Sequence, residues 1–278
     1  MQNNKTNQLI RFFERQPAVV LAFLFGSRAR GAERPTSDWD VAVYFKPQEY
    51  METETDLEYP NEHAIWSQLV DILESDNIDL VVLNRARPDL VYNVLRKGMP
   101  LVIKDRRLYL DLLCKVSYEA MDRWAFVSDY YKISERTKSI APEDRSRIIE
   151  YLRFLENEFN EINDIKAFTW QDYLQDSFKR KIVERWIENL VMASLDIIKV
   201  ILASQKREIP QTYRDILRVF GTMYIDQTFA KRFSWFSAMR NILVHEYLDV
   251  KWRRIRKFIS EAEDLMPVFI KRLKEIIQ

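Results

Sequence analysis

The chain has 278 residues, 47% of them apolar, and 43 Lys+Arg against 42 Asp+Glu leave a net charge of +1. That composition is enough for two domains with separate cores, and it argues against a disordered chain or a polyelectrolyte. One cysteine, Cys114, rules out an internal disulfide, and with only two histidines a Cys/His zinc site is excluded, so any metal must be held by carboxylates.

In chain order, the opening MQNNKTNQLIRFFER is polar and then amphipathic, without the apolar centre of a signal peptide. No apolar run approaches the roughly 20 residues needed to cross a bilayer. The expectation is a cytoplasmic protein without membrane contact. Residues 18–25 (AVVLAFLF), 41–45 (VAVYF), 78–83 (IDLVVL) and 100–103 (PLVI) are short Val- and Phe-rich runs that predict strands. Helical patterns lie between them at 61–75 and 88–97. Residues 1–105 are thus expected to form an α+β domain, a mixed sheet with flanking helices. A continuous helical pattern from Leu108 to about Lys138 predicts a helical connector over 106–140, followed by a turn in SIAPEDR. Over 141–278, apolar residues at three and four spacing, as in IIEYLRFLENEF and RKIVERWIENLVMASLDIIKVILAS, predict an all-α helical bundle. Divided at residue 105, the charges are 12 Lys+Arg to 16 Asp+Glu before and 31 to 26 after, imbalances that solvated surface accounts for.

Only four glycines occur in the chain, and Gly26 and Gly31 both fall in FLFGSRARGAERPTSDWDVAVYF, residues 23–45. Gly26 and Ser27 follow an apolar strand and precede a stretch able to start a helix, where exposed N–H groups and a hydroxyl make a phosphate cradle. Asp38 and Asp40 come ten residues later and lead into VAVYF. Residues two apart on a strand share a face, so the two carboxylates converge while Trp39 turns away. That suits Mg²⁺, a hard cation that takes carboxylates together with substrate phosphates. Asp79 opens the next strand and offers a third carboxylate; Asp71, in a helical pattern, and Asp76, in a turn, are its rivals. Arg28 and Arg30 are placed either to touch phosphate or to form a solvated helix face.

The spacing Gly-Ser-x10-Asp-x-Asp resembles the signature of the DNA polymerase β-like nucleotidyltransferases, and with Gly31 and Ser37 it is similar to their minimal members. The resemblance spans roughly residues 8–105. It implies Mg²⁺ on Asp38, Asp40 and Asp79, with Asp79 also catalytic, and the phosphates of ATP on Gly26 and Ser27.

The second outlier is RNILVHEYLDV at 240–250, which holds one of the two histidines. On one helix Arg240 and His245 lie about 140° apart, so a second copy of the helix brings an arginine and a histidine together more readily than one copy does. Arg-x4-His-x-Tyr, with Asn241 after the arginine, resembles the motif of the HEPN superfamily, in the toxin-like subfamily paired with minimal nucleotidyltransferases. The resemblance covers roughly 145–275 and includes PQTYRDILRVFG. It implies a homodimer whose facing motifs cleave RNA without metal, with Arg240 and His245 as the catalytic pair and Asn241 as a polar helper. Histidine titrates near neutrality and can move a proton, and arginine stabilises developing phosphorane charge. His63 falls near a helix start and has no partner spacing. KWRRIRK at 251–257 carries five positive charges that serve either RNA phosphates or a solvated face.

In the two-gene form of this pairing, as the resemblance implies, the nucleotidyltransferase is an antitoxin that moves AMP from ATP to the motif tyrosine. Here Tyr247 stands at that position, in the same chain. The expectation is a single-chain toxin–antitoxin-like protein in which adenylylation of Tyr247, in cis or within a dimer, silences a ribonuclease. The competing expectation is a small-molecule nucleotidyltransferase of the aminoglycoside-modifying kind with a non-catalytic helical domain.

Overall fold

The structure, a computed structural model, describes residues 2–29, 38–48, 51–55, 57–136, 140–245 and 248–277. The chain divides into two compact units, Met1–Ala125 and Phe126–Gln278.

The first unit runs α1 (Gln2–Glu14), β1 (Val19–Phe25), α2 (Gly26–Ala29), β2 (Trp39–Phe45), α3 (Glu62–Leu73), β3 (Ile78–Val82), α4 (Pro88–Lys97), β4 (Met99–Ile103) and the first part of α5 (Arg106–Arg136). The strands form one mixed sheet in the order β3-β2-β1-β4, with β1 antiparallel to both neighbours and β2 parallel to β3. A parallel pair needs a crossover, and α3 supplies it. Both faces of the sheet are covered, which is why its strands read as apolar runs rather than as strict alternation. On one face Trp39, Val41, Val43 and Phe45 pack with Leu9 and Phe13 of α1 and Ile65, Leu69 and Leu73 of α3. On the other, Ala42 and Tyr44 pack with Val91, Val94 and Leu95 of α4 and Leu108, Leu112 and Val116 of α5.

The expected connector is mostly the single helix α5, and the division into compact units falls within it, after Ala125. In the second unit follow α6 (Pro142–Asn160), α7 (Ile162–Ala167), α8 (Trp170–Gln175), α9 (Ser177–Ser204), α10 (Tyr213–Tyr224), α11 (Gln227–Ser234), α12 (Phe236–His245) and α13 (Leu248–Ile277). Helix starts follow local chemistry. Pro142 opens α6, Thr169 and Asp172 form a capping box at α8, and Asp176, Thr212 and Asp226 accept backbone N–H bonds at α9, α10 and α11. Helix α9 is buried along its second half, from Leu190 to Ser204, as the central helix of the bundle. Its one buried cation, Lys199, is matched by Asp129 of α5 at 2.9 Å and Asp196 at 3.0 Å. Burial pushes the Asp129 carboxyl up, but the hydrogen bonds from Arg147 and Lys199 outweigh it and hold its pKa below the usual carboxylate value.

Gly221 has a steric reason: a Cβ there would meet the Cα of Ala230 at 2.6 Å, backbone that cannot swing aside. Gly221→Ala should therefore force α10 and α11 apart and cost about 1–3 kcal/mol. Thermal unfolding of the purified variant measures this.

Candidate active site

Strand register assembles one end of the sheet. Asp40 pairs with Phe25, the last residue of β1, on one side and with Asp79, the second residue of β3, on the other. Residues directly opposite each other on neighbouring strands project to the same face, so Asp40 and Asp79 are adjacent carboxylates. Trp39, between the two aspartates of the motif, is only 5% exposed and points into the core on the α1/α3 side. Asp71 belongs to α3, and Asp76 lies in the bend before β3; neither is in register with Asp40.

Gly26 follows β1 directly and has φ +72°, the left-handed region. A Cβ built on it would lie 1.9 Å from Asp40 Oδ2 and 2.6 Å from Asp40 Cγ. The Asp40 carboxylate thus occupies the space where any other residue would carry its side chain. Sequence alone assigned Gly26 to approach a phosphate; the structure adds that it makes room for a carboxylate.

Asp38 is placed differently from the expected i, i+2 pair. Strand β2 begins at Trp39, so Asp38 precedes the ladder, and one of its carboxylate oxygens accepts from the side-chain amide of Asn77. The backbone carbonyl of Asn77 in turn accepts from the Trp39 N–H at 2.9 Å. Sequence reasoning missed Asn77, whose only signal is its position just before the strand that carries Asp79. Among the described residues, no group of three or more His, Cys, Asp or Glu side chains stands together as a metal cluster.

Arg28 is anchored within this corner. Its Nε donates to the Asp38 carbonyl at 3.0 Å and its guanidinium lies 4.3 Å over the Trp39 ring. Arg30, Gly31 and Ser37 lie outside the described residues.

The loop after β2 is fixed by a second group that sequence did not reveal. Asn84, fully buried, accepts from the Phe45 N–H at 2.8 Å and donates to the Phe45 carbonyl and to Glu52 Oε2. Tyr59 donates to the same Glu52 oxygen at 2.6 Å and stacks on Phe45, with ring centroids 4.7 Å apart. Burial, then the neighbouring Glu52 carboxylate, push the Tyr59 hydroxyl far above its usual pKa, so it stays a donor. Alongside the open edge of β3 lies a cavity of about 790 Å³ lined by Tyr59, His63, Trp66, Asp79 and Arg85, among others. His63 is the second residue of α3, as its place near a helix start suggested.

In the helical unit, positions 240, 241 and 245 all lie on the backbone of α12, and His245 is its last residue. The side chains of Arg240, Asn241 and His245, and all of Tyr247, lie outside the described residues. Of the basic run 251–257, Lys251 pairs with Glu184 at 3.5 Å, Arg256 donates to the Lys166 carbonyl at 3.0 Å, and Lys257 stands 4.5 Å from the Trp235 ring centre. These three cations are engaged within the unit.

Two family models match separate stretches of the chain. Residues 7–107 match the family model described as polymerase beta, nucleotidyltransferase, and residues 148–275 match that of ribonuclease HepT-like proteins. No curated protein matches the chain. Among solved structures, a toxin–antitoxin with AMP-PNP is 25% identical, the match covering 46% of this chain and 98% of that one, with a TM-score of 0.35. A tri-AMPylated Shewanella oneidensis HEPN toxin in complex with an MNT antitoxin is 23% identical over 46% of this chain and 98% of that one, with a TM-score of 0.34. No helix among the described residues is long and apolar enough to cross a membrane. The chain is a fusion of a nucleotidyltransferase domain of the polymerase beta family with a HEPN domain of the HepT-like ribonuclease family.

Proposed function

We propose that the nucleotidyltransferase domain, residues 1–105, moves AMP from ATP to Tyr247, and that this silences a ribonuclease built by residues 141–278. The observation that carries the reading is the seat of Asp40: its carboxylate lies against Gly26 and its strand neighbour is Asp79. A glycine packed against a carboxylate beside a second carboxylate is a costly arrangement for a core and a useful one for a site that binds a polyphosphate.

The donor set fits Mg²⁺. Protein sites usually hold this ion through one or two carboxylates plus substrate phosphates, so a preformed three-carboxylate cage is not required. Asp40 and Asp79 are the two in register, and Asp38 would join by exchanging its Asn77 partner. When bound, Mg²⁺ supplies neutralisation of the triphosphate and of the charge that develops during transfer. Gly26 and Ser27 offer backbone N–H groups and a hydroxyl to the phosphates. The phenol oxygen of Tyr247 attacks the α-phosphorus, its proton passes to Asp79, and the bond to the bridging oxygen breaks so that pyrophosphate leaves with the electron pair.

In the helical domain, His245 moves the 2′-hydroxyl or leaving-group proton, Arg240 stabilises the phosphorane, and Asn241 assists as a polar group. Five positions on one helix separate Arg240 and His245 by about 140°, which favours a homodimer with facing motifs. AMP on Tyr247, two residues from His245, brings anionic phosphate and bulky adenosine beside that pair and blocks RNA. A small-molecule acceptor needs no such tyrosine and no ribonuclease-like domain, so the HepT-like match favours the protein acceptor.

RNA cleavage tests this. The Asp40→Asn protein should degrade RNA that the wild type, pretreated with ATP and Mg²⁺, leaves intact, and adding His245→Ala should abolish the degradation. If Asp40→Asn is as inert as the pretreated wild type, the silencing idea fails.

A further inference from the structure

The leads into β2 and β3 are tied together just ahead of the Asp40 and Asp79 pair. Asn77 stands two residues before Asp79, and Asp38 two before Asp40. The Trp39 N–H donates to the Asn77 carbonyl at 2.9 Å, and the Asn77 side-chain amide donates to an Asp38 carboxylate oxygen. One residue thus holds the start of the Asp40 strand through its main chain and the Asp38 carboxylate through its side chain.

Arg28 fixes a further point. Its Nε donates to the Asp38 carbonyl at 3.0 Å while its guanidinium lies over the Trp39 ring. With the Asp38 carbonyl and the Trp39 N–H both held, the Asp38 carboxylate can change partner by rotating its side chain, and the strand stays where it is. Asp38 and Asn77 are both exposed, where such rotations take picoseconds to nanoseconds. What opposes the rotation is the hydrogen bond from the amide to the carboxylate. Without nucleotide, a divalent cation that gains Asp38 must draw it off Asn77 and receives no phosphate oxygen in return. With nucleotide, the triphosphate adds oxygens to the same set, and these offset the lost hydrogen bond.

We infer that Asn77 is a positioning residue of the transferase: its amide holds the Asp38 carboxylate in reserve while the site is empty, and so makes capture of the divalent cation follow arrival of the nucleotide. The inference rests on the reading of Asp38, Asp40 and Asp79 as the metal-binding carboxylates. It adds a residue outside the Gly-Ser and Asp-x-Asp motif that controls when the third carboxylate joins.

The test is Mn²⁺ binding to the full-length protein without nucleotide, followed by electron paramagnetic resonance of the free ion, in the wild type, Asn77→Ala, Asp38→Ala and the double variant. The bonds from the Asn77 N–H to Ser75 Oγ at 3.2 Å and from Trp39 to the Asn77 carbonyl belong to the backbone and do not need the side chain, and circular dichroism checks the fold of each variant. Asn77→Ala should bind Mn²⁺ about fivefold more tightly than the wild type, a gain that corresponds to roughly 1 kcal/mol. The double variant should bind no more tightly than Asp38→Ala alone, because the gain acts through Asp38. Unchanged or weaker binding by Asn77→Ala overturns the assignment, and so does a gain that persists without Asp38. Failure of the adenylylation reading looks different: the wild type then gains no AMP at Tyr247, whatever its affinity for Mn²⁺.

Discussion

Gly26→Ala should reduce AMP transfer on the order of 10²–10³-fold, as much as removal of the carboxylate it touches. The substitution adds one carbon, yet that carbon would sit 1.9 Å from Asp40 Oδ2, in a backbone conformation of φ +72° that alanine avoids. Two costs follow. The left-handed backbone costs about 1–3 kcal/mol of stability. The Asp40 carboxylate must also leave its position between β1 and β3, and a misplacement of about 1 Å in a catalytic group is worth on the order of 10² in rate. Steady-state transfer and circular dichroism on the same preparation separate lost chemistry from lost fold.

The second large effect discriminates among carboxylates. Asp40→Asn and Asp79→Asn should each slow transfer on the order of 10²–10³-fold, because each removes a charge from a carboxylate pair in register across β2 and β3. Asp71→Asn and Asp76→Asn should leave it within about twofold, since one lies on α3 and the other in the bend before β3. Comparable losses at Asp71 or Asp76 would mean that strand register does not define the site.

Much of this was legible in the sequence for physical reasons. The runs at 18–25, 41–45, 78–83 and 100–103 became β1–β4 because both faces of the sheet are covered, so burial marks whole strands. The long 3.6-residue patterns became α5, α6 and α9. Gly26 and Asp40 stood out because a scarce glycine and a charged residue interrupt apolar runs. Less was legible where partners lie far apart in the chain. The i, i+2 argument for Asp38 and Asp40 assumed a strand through both, whereas β2 starts at Trp39 and Asp38 answers to Asn77, 39 residues away. Asn84 and Glu52, which brace the loop after β2, carry no periodicity at all. Helix α1 begins in the polar QNNKTNQ, and packing of Leu9 and Phe13 on the sheet supports it rather than propensity.

Mass spectrometry of the Tyr247 peptide tests the central claim most directly. Full-length protein treated with ATP and Mg²⁺ should carry one or more AMP groups on Tyr247, and the Asp40→Asn protein treated identically should carry none. An unmodified Tyr247 in the wild type, or equal modification in both proteins, would contradict the assignment of Asp40 and Tyr247 to one reaction.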